Sequence, residues 1–174
     1  FVTDYVRLYA LYSEGGIYLD TDVEIKKNLD PFLMHKAFTG CENERYCVTG
    51  LMGAEVNHSW IKLLLDDYTN RYLINKDGSF DSTTNTCRIT ELTKLNFGWN
   101  DGKIISRLPE GVSIYPHEYF CAKDWRSGNI KVTKNTHSIH HFNGSWNTAE
   151  QKNEANRIKK MAKILGLRNA QILN

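Results

Sequence analysis

The sequence predicts a single α/β domain with an open sheet, and three observations support this prediction. The 174 residues fit one domain by length and can bury a substantial core. Segments with helical and with strand-like apolar spacing alternate along the chain. An early apolar segment, residues 17–19, leads directly into Asp20-Thr21-Asp22. Open α/β sheets bind their ligands beyond the carboxyl ends of their strands, so these carboxylates mark the expected site.

The first predicted helix covers residues 3–13, with Thr3 as its N-cap and Gly15-Gly16 at its end. Apolar residues at spacings near i, i+3 and i+4 predict which face is buried. This face comprises Val6, Leu8, Tyr9 and Ala10.

The remaining elements follow from the same spacing rules and from glycine and proline breaks. Strands are predicted over residues 17–19, 23–25, 37–41, 46–54, 112–115 and 139–142. Helices are predicted over residues 59–72, over residues 90–95 and from Thr148 onward. The polar segment 75–86 is predicted as a long loop, and loops of this length often serve binding.

Composition argues against several classes of function. The net charge of +2, without a dense stripe of lysine and arginine, argues against nucleic-acid binding. No apolar run approaches the roughly 20 residues that span a bilayer, so no transmembrane segment is predicted. The four cysteines form no C-x-x-C pair, which argues against zinc. Cys41 and Cys47 could meet across a hairpin, but free thiols in a reducing cytoplasm are the favoured expectation.

Asp20 and Asp22 are the strongest candidates for a metal site. Residues i and i+2 of an extended chain lie on the same side, so both carboxylates can face one cation. Two like charges at this distance are costly unless a cation lies between them. Mg²⁺ and Mn²⁺ prefer such oxygen ligands. The alternative is an ordinary surface turn rich in aspartate.

Two other groups of residues are candidates to converge on this site. Asp4 and Arg7 lie three residues apart and therefore share a helix face; the alternative is an exposed ion pair. Residues 137–146 contain three histidines, two serines and Trp146. Neutral imidazole can complete a metal's coordination, and a tryptophan can cover a ligand. The alternative is that these side chains belong to the core.

The run FVTDYVRLYALYSEGGIYLDTDVEIKKNLDPF resembles the DXD sugar-binding region of glycosyltransferase family 32. The shared pattern is D-Y-x-R, several apolar residues, G-G-x-Y-x-D-x-D and then L-D-P. The segments LMGAEVNHSW, IYPHEYF and IHHFNGSW resemble later parts of the family, so the likeness extends over residues 1–146. The family includes fungal initiating mannosyltransferases and bacterial transferases of capsular-polysaccharide or lipopolysaccharide synthesis.

The resemblance implies a GT-A-type, Rossmann-like fold. It also implies a glycosyltransferase that uses Mn²⁺ or Mg²⁺ to move a sugar from a UDP- or GDP-sugar to a hydroxyl of a carbohydrate acceptor, with retention of anomeric configuration. Such an enzyme is expected in the cytoplasm or peripherally at the inner face of the membrane. No catalytic nucleophile can be named from the sequence.

The resemblance also implies roles for individual residues. Donor binding is assigned to Asp4, Arg7, Tyr18, Asp20, Ser145 and Trp146. Metal binding is assigned to Asp20, Asp22 and His141. His141 begins a string, H-F-x-G, that resembles the metal-binding motif of family 8 galactosyltransferases, but the Lys-Pro-Trp that follows there is absent, so His140 stays open beside it. Ser145 and Trp146 resemble the loop that closes on the donor in glucosylating toxins.

The chain departs from the family at its start. Family members usually begin with a strand carrying I-H-x-x-W and further elements before the D-Y-x-R helix. Residues 1–174 are therefore expected to form one GT-A-like domain that lacks its first strands and corresponds to the C-terminal two-thirds of the usual domain. An exposed sheet edge would then allow self-association.

Two rival functions remain on the sequence alone. In a phosphatase of the haloacid-dehalogenase type, Asp20 would be the nucleophile and Asp22 the acid. The D-Y-x-R helix that precedes the strand argues against this reading. The second rival is a remnant that binds sugar nucleotides but has lost turnover.

Overall fold

The computed structural model describes residues 2–69, 71, 72, 74, 77–81, 83–144, 148, 150, 153, 156, 157 and 160. Its helices are α1 (Val2–Glu14), α2 (Ser59–Asp66), α3 (Asn85–Phe97) and α4 (His117–Phe120). Its strands are β1 (Gly16–Leu19), β2 (Val23–Ile25), β3 (Ala37–Asn43), β4 (Tyr46–Ala54), β5 (Ser106–Arg107), β6 (Val112–Tyr115) and β7 (Ser138–His140). Two 3₁₀ turns cover Asp30–Phe32 and Pro109–Gly111. The prediction of a mixed α/β architecture is confirmed.

Five strands form the main sheet in the order β1-β4-β3-β6-β5. β4 pairs antiparallel with both β1 and β3, whereas β3 and β6 are parallel. β1, β3 and β6 therefore run in the same direction, and their carboxyl ends lie at the same end of the sheet. Asp20 follows β1 at this end. Strands β2 and β7 form a separate antiparallel ribbon, with Val23 opposite His140.

Both faces of the sheet are covered, and β3 shows how the sequence achieves this. Successive side chains of a strand point to opposite faces. Ala37 and Cys41 accordingly join a core with α1, α2 and α3, while Phe38 joins a second, aromatic cluster. That cluster contains Phe32, Phe38, Leu51, Tyr115 and Phe120. A strand buried on both faces reads as a continuous buried run, as β3 does over its first five residues.

The first helix and the glycine turn after it confirm the prediction. The residues on the buried face of this helix, however, differ from those predicted. Val6, Tyr9 and Ala10 are exposed, whereas Arg7, Leu8 and Leu11 are buried. The apolar spacing was misleading because the buried stripe includes a charged residue, Arg7, which pairs with Asp4 of the same helix and with Asp20 after β1. Thr3 lies inside the helix and does not cap it.

Two other helix boundaries differ from the prediction. α2 ends at Asp66 and does not reach residue 72, and α3 begins at Asn85 and not at residue 90. The signal for the earlier start is Thr84, whose hydroxyl accepts a hydrogen bond from the backbone N–H of Cys87. The helix predicted from Thr148 lies largely outside the described residues. Within the described ranges, every helix is too short or too polar to span a bilayer.

Candidate functional site

Two glycines position the candidate site by turning the chain from α1 into β1. Gly15 has φ +68°, and its N–H donates to the carbonyl of Leu11 as in a helix C-cap. A Cβ on Gly15 would lie 3.0 Å from the backbone nitrogen of Val56, so the turn packs against the chain that follows β4. This turn returns β1 alongside α1, and the Arg7 guanidinium lies 4.8 Å from the centre of the Tyr18 ring.

Asp20 lies at the carboxyl end of β1 and is held by two side chains. The Tyr18 hydroxyl donates to Asp20 Oδ1 at 2.7 Å, and Arg7 Nη2 lies 3.3 Å from the same oxygen. Burial and the bond to Asp20 raise the pKa of Tyr18 to about 12, so the phenol keeps the proton that it donates. The N–H of Asp20 donates to the carbonyl of Gly50, which extends the pairing of β1 with β4.

Asp22 is held by the chain that follows β7. Its Oδ2 accepts the backbone N–H of Asn143 at 2.8 Å, and its carbonyl accepts the N–H of His141 at 3.0 Å. The chain reaches this position because Phe142 adopts a positive φ of +54°. Such a conformation in a non-glycine residue is costly and concentrates at functional sites. The ribbon of β2 and β7 therefore presents Asp22 to the site.

His140 completes a group of three converging side chains. Its Nε2 lies 3.2 Å from Asp22 Oδ1 and 3.8 Å from Asp20 Oδ2, the oxygens that Asn143 and Tyr18 do not hold. The residue is 8% exposed. Burial lowers the pKa of His140, against the opposing effect of the two aspartates, so the neutral imidazole is favoured.

The backbone beneath His140 has to be glycine. A Cβ on Gly50 would lie 2.9 Å from Nδ1 of His140. The ring also lies 4.2 Å, centre to centre, from the ring of Phe142. Close backbone approach on one side and an aromatic ring on the other thus fix the direction of Nε2.

These three residues fit a divalent cation. One ligand atom from each lies within 4.8 Å of the other two. Ligand atoms that are adjacent around an octahedral ion with bonds of 2.0–2.1 Å are about 3 Å apart, close to the observed distance from His140 to Asp22. Two carboxylates and one neutral imidazole form a set of hard and intermediate donors that suits Mn²⁺.

The structure brings His140, and not His141, to the two carboxylates. Adjacent residues of an extended chain point to opposite sides, so the two rings diverge. His141 Nε2 instead lies 3.0 Å from Oε2 of Glu24 on the neighbouring strand. The resemblance implied metal binding by His141, with His140 left open beside it; in the structure, His140 is the histidine that lies next to the two aspartates.

The two histidines provide a direct test of the geometry. His140→Ala is expected to weaken Mn²⁺ binding by roughly tenfold or more, because it removes one of three ligands. His141→Ala is the matched control and is expected to leave Mn²⁺ affinity unchanged. Isothermal titration of Mn²⁺ into each variant measures the difference. An equal loss in the two variants, or a larger loss in His141→Ala, would contradict the assignment of Nε2 of His140.

The predicted pair of Asp4 and Arg7, in which Arg7 is buried and Asp4 is partly buried, continues the site into α1. Arg7 is 7% exposed, and its Nη2 lies 3.2 Å from Asp4 Oδ1 as well as 3.3 Å from Asp20. Asp4 Oδ1 also accepts a hydrogen bond of 2.7 Å from Asn85 Nδ2, at the start of α3. The exposed ion pair considered from the sequence is therefore replaced by a buried bridge that holds Asp20.

The sequence analysis did not predict every residue of the site. Asn85 and Gly50 carry no recognisable motif, because each acts through a contact between segments far apart in the chain. Ser145 and Trp146, which the sequence assigned to donor binding, lie outside the described residues. Among the described parts of the chain, Asp4, Arg7, Tyr18, Asp20, Asp22 and His140 form one connected network.

Comparison with known proteins finds a family model that covers the first part of this network. Residues 2–39 match the family model described as a glycosyltransferase sugar-binding region containing a DXD motif. The match indicates a glycosyltransferase-type function. It contains Asp4, Arg7, Asp20 and Asp22, and His140 lies outside it. No curated protein and no solved structure gives a significant match to the chain.

Proposed function

We propose that this protein is a metal-dependent glycosyltransferase of the GT-A type, related to family 32. It would move a sugar from a UDP- or GDP-sugar to a hydroxyl group of a carbohydrate acceptor, with retention of configuration, in the synthesis of a polysaccharide or glycan. The observation that carries the proposal is the convergence of Asp20, Asp22 and His140, two of which belong to the matched DXD region.

The residues of the network have distinct roles in this proposal. Asp22 and His140 would hold the ion directly, with Asp20 beside them. The imidazole nitrogen favours Mn²⁺ over Mg²⁺, which prefers oxygen ligands. When bound, the ion would stabilise negative charge on the departing nucleoside diphosphate as a Lewis acid.

Arg7 acts mainly by positioning Asp20. Its guanidinium is buried between Asp4 and Asp20, and its positive charge lies behind the carboxylates at the site. Tyr18 directs the same carboxylate through its hydrogen bond to Oδ1. Donor binding by Asp4, Arg7 and Tyr18 would therefore proceed through a preorganised Asp20, which lowers the cost of ordering the site. Ser145 and Trp146 would cover the donor.

The geometry favours a ligand pair over the phosphatase reading. Asp20 Oδ1 is bonded to Tyr18 and Arg7, and Asp22 Oδ2 is bonded to Asn143. One oxygen of each carboxylate is thus fixed by the protein, and the other faces His140. A phosphatase would need Asp20 as a nucleophile aimed at substrate and Asp22 as an acid with a proton, whereas here both face the same imidazole.

The test is a panel of UDP- and GDP-hexoses incubated with the protein, Mn²⁺ and, as acceptors, the methyl glycosides of glucose, galactose, mannose and N-acetylglucosamine. We expect release of UDP or GDP from at least one donor, loss of this release in EDTA, and no release of nitrophenol from p-nitrophenyl phosphate. Metal-dependent nitrophenol release without diphosphate release would replace the proposal with the phosphatase. Mn²⁺-dependent binding of a donor, measured by calorimetry without any turnover, would show a binding remnant and refute the enzymatic claim.

A further inference from the structure

A polar cleft lies between the chain that follows α2 and the start of α3, and none of its lining residues belongs to the cluster of Asp20, Asp22 and His140. It encloses about 350 Å³ and is lined by Asp67, Arg71, Asp81, Thr83 and Arg88. Its residues come from the chain after α2, the segment before α3, and α3 itself. We propose that this cleft binds the acceptor as a neutral saccharide. The inference rests on the proposed function, because it supplies the second substrate of the same transfer.

The walls of the cleft contain two ion pairs, and the members of each pair hold each other in place. Arg88 Nε donates to Asp67 Oδ2 at 2.7 Å, and Arg71 Nε donates to Asp81 Oδ2 at 2.8 Å. Arg71 Nη2 also donates to the carbonyl of Thr83 at 3.1 Å. The bond from Arg71 lowers the pKa of Asp81 strongly, so this carboxylate is ionised at neutral pH. The cleft is therefore preorganised and carries no net charge.

This charge balance indicates the class of ligand. Two guanidinium groups already neutralised by two carboxylates offer little attraction to a phosphate or another anion. A sugar hydroxyl both donates and accepts hydrogen bonds, so it can bridge a carboxylate and a guanidinium. Tyr68 adds an aromatic ring next to these polar groups, since the centre of its ring lies 5.6 Å from the Arg71 guanidinium. Polar anchors beside an aromatic surface suit a pyranose ring, which has hydroxyls at its rim and C–H groups on its faces.

The cleft is connected to the DXD site through two residues. Asn85 donates to Asp4 Oδ1, and Arg88 lies three residues further along the same face of α3. The Arg71 guanidinium lies 5.6 Å from the centre of the Tyr68 ring, which makes an edge contact with Tyr5 of α1. Side-chain contacts thus connect the start of α3, which lines the cleft, to Asp4 and Arg7 of the network around the candidate metal centre.

Saturation-transfer NMR with neutral sugars tests the inference on the full chain. The probes are the methyl glycosides of glucose, galactose, mannose and N-acetylglucosamine. We expect at least one of them to bind, and Thr83→Trp to weaken that binding about tenfold or more by filling the cleft. Thr83→Ser is the matched control, since it keeps the hydroxyl, and its affinity should stay within about twofold of the wild type. Asp22→Asn should also retain sugar binding.

The outcomes separate this inference from the proposed function. If none of the four glycosides binds the wild-type chain, or if Thr83→Trp binds as well as Thr83→Ser, the cleft is not the acceptor site. Loss of sugar binding in Asp22→Asn would indicate that the sugar binds at the metal centre and not in the cleft. This result would also overturn the inference. Asp81→Asn serves as a second cleft variant should Thr83→Trp not fold. Mn²⁺ titration of the wild type is measured in parallel: absence of Mn²⁺ binding contradicts the proposed function, whatever the sugars do.

Discussion

Asp22→Asn is expected to weaken Mn²⁺ binding by roughly a hundredfold or more, and to abolish metal-dependent release of the nucleoside diphosphate. The substitution keeps the size of the side chain and an oxygen that can accept the N–H of Asn143. It removes the negative charge of the carboxylate, whose Oδ1 lies 3.2 Å from His140 Nε2. This charge would attract the positive ion. Loss of a direct ligand costs more than the 10–100-fold typical of residues that only support the ligands.

Glu24→Gln is the matched control for this prediction. Glu24 lies two residues after Asp22, in β2, but its carboxylate contacts Lys26 and His141 outside the cluster. Its removal should leave Mn²⁺ affinity unchanged. Calorimetry or the electron paramagnetic resonance signal of free Mn²⁺ gives both affinities. If Asp22→Asn binds Mn²⁺ like the wild type, the ion has another site and the assignment to the DXD turn fails.

Arg7→Met is expected to lower the free energy of unfolding by about 2–3 kcal/mol, because it leaves two partly buried carboxylates without their shared cation. The side chains of Asp4 and Asp20 are 24% and 19% exposed. Water and the remaining hydrogen bonds from Asn85 and Tyr18 offset part of the cost. Methionine fills a similar volume, so loss of packing contributes little. Urea unfolding in EDTA, followed by circular dichroism, measures the change.

An exposed ion pair supplies the control for Arg7. Lys62 and Asp66 pair across one turn of α2, and both side chains are about half exposed. Lys62→Met should produce no measurable change in stability, because solvated pairs of this kind contribute little. Equal destabilisation by the two substitutions would indicate that the loss of a charge, and not the burial of the bridge, determines the effect. Unchanged stability in Arg7→Met would show that Asp4 and Asp20 do not depend on it.

The DXD turn could be predicted from the sequence because its determinants are local. Two glycines, three apolar residues and two aspartates within eight positions specify a helix end, a strand and a pair of carboxylates. The burial of Arg7 could not be predicted in the same way. Apolar spacing predicted a face with Val6 and Tyr9, because it treats a charged residue as exposed unless its partners are known.

The choice between His140 and His141 was also beyond the sequence. It depends on which residue of β7 pairs with Val23, and this register joins segments that are far apart in the chain. The contact of Asn85 with Asp4 has the same character, since the start of α3 was placed five residues too late. Local patterns thus indicated the chemistry of the site. Pairing between distant segments of the chain determined which residues belong to the site.

The ribbon of β2 and β7 has a consequence for the behaviour of the protein when metal is scarce. Asp22 and Asn143 touch although 121 residues separate them. An ion shared by Asp22 and His140 would therefore act as a removable cross-link that closes almost the whole described chain into a loop. Because a ligand that binds only the folded state adds to its stability, binding of such an ion would raise the free energy of unfolding of the protein.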